Sequence, residues 1–98
     1  MDLRKYKAPA LEIEFEEVGK VYIKKMTSAE ADKIDAIADL EERIYTALSL
    51  CLVDEKGKNC GYSIEDCKEM PSDLTQGLYI ELVNYHSPKK KVDSKEKN

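Results

Sequence analysis

The chain has 98 residues, 42% of them apolar and 37% charged, with no Trp and one Phe. That makes one domain with one thin core, burying about 60–65% of its unfolded surface and leaving little room for a deep catalytic pocket. The formal charge of −4 is uneven: residues 87–98 hold Lys89, Lys90, Lys91, Lys95 and Lys97 against Asp93 and Glu96, a net +3 that leaves −7 on residues 1–86.

Residues 1–10, with Arg4, Lys5, Lys7 and Pro9, read as a flexible arm, and Met1–Lys5 lacks the apolar stretch of a secretory signal. Leu11-Glu12-Ile13-Glu14-Phe15-Glu16 alternates apolar and acidic residues, the period of a half-buried strand. Val21-Tyr22-Ile23-Lys24 repeats the extended pattern, and Gly19 lies in the turn between. The two make a β-hairpin over 11–25, with Glu12, Glu14 and Glu16 able to face Lys20, Lys24 and Lys25 across it. A hairpin is not stable alone, so helices must cover its apolar face. Thr27-Ser28-Ala29-Glu30 is a capping box and starts the first helix. Asp39-Leu40-Glu41-Glu42 repeats the capping logic. It implies either a break and a second helix at 40–52 or one long helix with Asp39 on its surface, and the repeated cap favours the break. Leu40, Ile44, Ala47, Leu48 and Cys51 form the broadest apolar stripe, with Cys51 as a small core residue.

Asp54-Glu55-Lys56-Gly57-Lys58 is a turn, after which Asn59–Tyr62 is available as the arm of a short second hairpin. Ser63 caps a short helix that stops before Pro71, and Ser72 caps a last helix over 73–86. There Leu74, Leu78, Leu82 and Tyr85 recur at helical spacing, while Tyr79, Ile80 and Val83 widen the apolar surface beyond one stripe. Gly77 weakens this helix by about 1 kcal/mol relative to Ala, tying it to packing. No periodicity survives beyond Pro88, and the basic end reads as a disordered, solvated tail. The expected architecture is α+β: 11–86 form a single domain in which the N-terminal β-hairpin packs on three to four α-helices.

Little in the chain points to chemistry. The carboxylates sit on wet faces beside their own helical neighbours, without the unlike environments of a catalytic pair. Cys51, Cys60 and Cys67 are an odd set without a CxxC pair, and His86 is the single histidine. Free thiols in a reducing compartment are expected, with no zinc and no other metal or cofactor. No run approaches the ~20 apolar residues of a membrane span. Gly57-Lys58 lacks the other residues of a phosphate-binding loop. Tyr22, Tyr45 and Tyr62 read as half-buried core edges. Tyr79 and Tyr85 read either as simple core, the favoured reading, or as contact residues for another chain, because Tyr offers area at low entropic cost. An acidic body repels nucleic acid and anionic lipid. The residues therefore describe a cytoplasmic, acidic, non-catalytic α+β domain with a surplus apolar C-terminal helix and a basic tail, and with no membrane partner or small-molecule substrate. The alternative function is a small nucleic-acid-binding regulator acting through the basic tail.

The order of segments resembles a known family. Met26-Thr27-Ser28-Ala29-Glu30 opens a helix after a hairpin. A later helix runs into Cys51-Leu52-Val53-Asp54-Glu55-Lys56-Gly57-Lys58. Tyr62-Ser63-Ile64-Glu65-Asp66 then precedes a final Leu-spaced helix. Over residues 11–85 this pattern resembles the tail assembly chaperones of long-tailed bacteriophages. The resemblance implies a cytoplasmic protein of the bacterial host that binds the tape-measure protein, keeps its apolar helical stripes soluble and helps recruit tail tube subunits. It also implies absence from the finished tail and a longer product made by ribosomal frameshift, for which the codons of Lys89–Lys91 are the natural place. On this reading Leu74, Leu78, Tyr79, Leu82 and Tyr85 carry the partner-binding face, self-association assists coverage, and nucleic acid is not a partner.

Overall fold

The computed structural model describes residues 1–87, so the tail expected from Pro88 onward lies outside the described residues. A 3-10 turn at Leu3–Lys5 is followed by strands β1 (Leu11–Phe15) and β2 (Gly19–Ile23) and helices α1 (Ser28–Asp35) and α2 (Leu40–Cys51). Strand β3 (Leu52–Val53) and helices α3 (Ile64–Lys68) and α4 (Ser72–Tyr85) complete the chain. The fold is α+β, with the N-terminal hairpin covered by helices.

The hairpin follows from the alternation of its residues. Leu11, Ile13 and Phe15 turn inward while Glu12 and Glu14 stay exposed. The register runs from Leu11 opposite Ile23 to Phe15 opposite Gly19. A three-residue turn joins the strands, and Gly19, at φ 79°, takes the left-handed position that such a turn requires. The cross-strand charges are used only in part. Lys20 lies opposite Glu14, but Glu12 lies opposite Tyr22, whose hydroxyl donates to Glu12 Oε1 at 3.1 Å. Lys24 lies past the paired strand and instead meets Glu30, with Nζ 3.1 Å from Oε1.

The Thr27 capping box forms in full: Glu30 N–H donates to Thr27 Oγ1 and Thr27 N–H donates to Glu30 Oε1. Asp39 accepts from Glu42 N–H at 3.0 Å, so the chain breaks into two helices there. The Arg43 guanidinium ties the break down by donating to the Ile37 carbonyl at 2.8 and 3.2 Å.

A third strand joins the sheet where the sequence suggests only a passage into a turn. Leu52 pairs with Ile23 and Val53 with Tyr22, antiparallel, giving the order β1-β2-β3. Two residues are too few to show a period, so only the sheet reveals them. Asp54 then folds the chain back, its Oδ1 accepting from the N–H groups of Lys56 and Lys58. The second hairpin is reduced to one bridge, Val53 opposite Asn59, with Cys60 N–H donating to Leu52 O at 3.1 Å.

Ser63 and Asp66 form a second reciprocal capping box at α3. The start of α4 differs from expectation. Pro71, not Ser72, is the N-cap, and no side chain caps the helix. Pro71 already supplies the extended backbone before the first turn, so Ser72 falls inside the helix with helical backbone, out of the extended conformation from which a hydroxyl caps.

Helix α2 packs against α1, α3 and α4. Its residues Ala47, Leu48 and Cys51 join Ile23, Leu78 and Leu82 in one buried cluster between sheet and helices. Leu48 is fully buried, a contribution of about 1.5–3 kcal/mol. Gly77 lets α4 pack closely on the hairpin: a Cβ there would stand 3.3 Å from Phe15 Cε1.

Candidate functional site

The five residues expected to meet a partner do not share one exposed face. Leu78 and Leu82 are each 2% exposed and belong to the core. Leu74 and Tyr79 are half-buried against it. Tyr85 is half-buried and its hydroxyl donates to the Pro9 carbonyl, while Lys25 Nζ lies 4.8 Å from the ring centroid. The physical reason is that a row at four-residue spacing is the one able to seal the apolar side of the sheet. The large apolar side chains that α4 leaves in water are Ile80, 59% exposed, and Val83, 44% exposed, three residues apart on the far side. Tyr62 is exposed rather than a half-buried core edge.

Helix α4 instead separates three hollows. The largest, about 710 Å³, is an open groove where Leu74 and Leu78 of α4 face Val21 and Tyr22 of β2, with Met70 on the same wall. Leu52, Val53 and Cys60 close its side, and exposed Val18 and Tyr62 stand in its lining. A second hollow of about 410 Å³ holds Tyr85, Leu11 and Lys25. A third, about 280 Å³, lies between α1 and α4 and holds Ile34, Tyr79, Leu82 and His86.

The groove exists because β3 is short. It pairs only with Tyr22 and Ile23, and the Asp54 turn then carries the chain away from β2. Lys20 and Val21 are thus left beside the hollow with β1 as their strand partner.

The rim of the groove is charged. Burial, and then Glu12 and Glu55, push the Tyr22 phenol above its ordinary value. Burial and the neighbouring Asp54 carboxylate push the Cys60 thiol up as well. Cys51, sealed in the core, is pushed by burial to about 12 and stays a neutral thiol at neutral pH. Among the described residues, no group of three or more His, Cys, Asp or Glu side chains is placed to hold a metal ion. No helix of the described residues is long and apolar enough to cross a membrane.

The arrangement offers apolar contact, framed by carboxylates and by Lys20. Sequence reasoning found Leu74 and Leu78, but it did not place Val18, Val53, Met70 and Tyr62 beside them. These four come from four different segments, and no local period links them. Ile80 and Val83 did leave a signal, as apolar residues in excess of one helical stripe. Comparison with models of known families, with curated proteins and with solved structures finds no match to this chain.

Proposed function

We propose that this protein is a binding module of the tail assembly chaperone type, which covers apolar stripes of a long helical partner before that partner is assembled. The observation that carries the reading is the open apolar groove between β2, β3 and α4, walled by Val21, Leu52, Met70 and Leu74 and edged by exposed Val18 and Tyr62. Such a hollow takes one or two apolar side chains of a partner helix, and Ile80 and Val83 add contact on another side of the domain. Single contacts of that size are weak, which suits a chaperone that must leave. Many copies cover a long stripe together, and the acidic body keeps a coated chain soluble through mutual repulsion.

The partner is the tape-measure protein of the same genome, and the tail tube subunits are the assembly partners that follow. The test is co-expression of the tape-measure protein with this chain, measuring how much tape measure stays soluble and how much co-purifies. Val18→Glu and Tyr62→Ser, at exposed groove positions, are expected to reduce co-purification while leaving the thermal midpoint unchanged. Undiminished capture by both variants removes the groove from the mechanism. Equal tape-measure solubility with and without this chain removes the chaperone reading.

A further inference from the structure

His86 ends α4 and is bonded on both sides of its ring. Nδ1 lies 2.7 Å from the Leu82 carbonyl oxygen and Nε2 lies 2.7 Å from the backbone nitrogen of Met26. A carbonyl can only accept and a backbone N–H can only donate. The partners therefore dictate the ring's form: neutral, with the proton on Nδ1 and a lone pair on Nε2 facing Met26. Met26 is the residue between the end of β2 and the Thr27 capping box. The ring thus fastens the last turn of α4 to the strap that connects the sheet to α1, across 60 positions of sequence.

We propose that His86 is a proton-sensitive clasp, closed when its ring is neutral and opened when Nε2 takes up a proton. A proton on Nε2 converts the acceptor into a donor pointed at another donor, so the bond to Met26 cannot survive. The bond to Leu82 can, because Nδ1 keeps its proton. Opening frees the Met26 backbone from α4 and loosens the wall of the cleft holding Tyr79 and Leu82. This inference does not rest on the partner proposed above.

The charged groups around the ring come from four elements. Asp35 of α1 and Arg43 of α2 line the same cleft, the Arg43 guanidinium being bonded to the Ile37 carbonyl. At the end of β2, Lys24 is neutralised by Glu30, and Lys25 sits over Tyr85, whose ring stands edge-on to His86 with centroids 6.2 Å apart. Glu81 of α4 lies with Lys25 in the neighbouring hollow.

The test uses the full chain and nuclear magnetic resonance at about pH 8 and about pH 5, the interval in which imidazoles change charge. At the higher pH the ring nitrogens are expected to show the proton on Nδ1, and the Met26 amide to be protected from hydrogen exchange. At the lower pH, after correction for intrinsic exchange, Met26 protection is expected to fall about fivefold, the effect of losing one hydrogen bond. The Lys24 amide, bonded to Cys51 O at 3.0 Å, is the internal control and should keep its protection. In His86→Gln, which retains an acceptor at both pH values, Met26 protection should not change with pH. A proton on Nε2 at the higher pH, or Met26 protection equal at both pH values in the native chain, overturns the clasp. So does a joint fall of Met26 and Lys24, because the opening is then global. The native chain decides the matter even if the variant does not fold.

Discussion

At its N-terminal end α4 begins on Pro71 without a side-chain cap, and Leu74 and Leu78 look onto an open groove. At its C-terminal end the same helix is bonded to two distant parts of the chain, through Tyr85 to Pro9 and through His86 to Met26. The difference separates two duties of one amphipathic element. The C-terminal half closes the core through Leu82 and is fastened by polar side chains, with Ile80 and Val83 left in water on its far side. The N-terminal half is held by packing on one side, Gly77 against Phe15, and keeps apolar surface available on the other. A binding domain this small has no separate layer for recognition, so recognition and core must share a helix.

The comparison is broken most directly by deleting matched side chains at the two ends. Leu82→Ala is expected to lower the unfolding free energy by about 2–5 kcal/mol, since the side chain is buried and its removal leaves a cavity. Leu74→Ala, half-buried at the groove, should lower it by less than about half as much. Urea unfolding of the two variants measures both, and equal losses would show that the groove end is core after all. His86→Ala comes next. It strands the Met26 N–H and should cost about 1–3 kcal/mol, nearer the lower figure because the site is half-buried and water can approach. His86→Gln should recover part of that loss, and recovery identifies the missing acceptor, rather than missing volume, as the cause.

Much of the helical and hairpin structure was legible because it is local. The Thr27 and Ser63 boxes and the Asp39 cap close their bonds within three residues, and the alternation at Leu11–Phe15 pairs with the strand that directly follows it. What could not be read is what depends on distance. Leu52 and Val53 become a strand only because Ile23 and Tyr22 present a free edge. Leu78 and Leu82 fit an exposed contact face and a core face equally well by spacing, and only the sheet beneath them decides. His86 gave no local signal at all, since its partner Met26 lies 60 residues earlier. The groove has the same character, drawing Val18, Val53, Tyr62 and Met70 from segments without a shared period.

The strap held by His86 offers a sharper, smaller test. Thr27→Ala removes the cap next to Met26 and should cost about 1 kcal/mol. Glu30, the partner of Thr27 in the capping box, should shape the acid side of the stability curve. The Thr27 N–H, against an opposing effect of burial and with Lys24 assisting, holds the Glu30 carboxyl below the usual carboxylate range. A carboxyl lowered in the folded state contributes stability above its unfolded value and loses it as pH falls through the lowered one. Glu30→Gln should therefore flatten the acid limb of the curve. An unchanged limb would mean that the carboxylate's charge, as distinct from its hydrogen bond, contributes nothing to the strap.

The smallest effect is expected where the sequence pointed to a cap that does not form. Ser72 precedes Asp73 and Leu74 in the manner of an N-cap, yet it lies within α4, with its carbonyl accepting from Thr75 Oγ1 at 3.1 Å and its hydroxyl unused. Ser72→Ala should therefore change stability by no more than about 0.5 kcal/mol, and a gain is reasonable because Ala is the better residue inside a helix. A loss comparable to that of Thr27→Ala would mean that the hydroxyl caps the helix in solution. The open end of α4 would then be as firmly fastened as the clasped one, and the asymmetry between recognition and core would have to be sought in the groove walls alone.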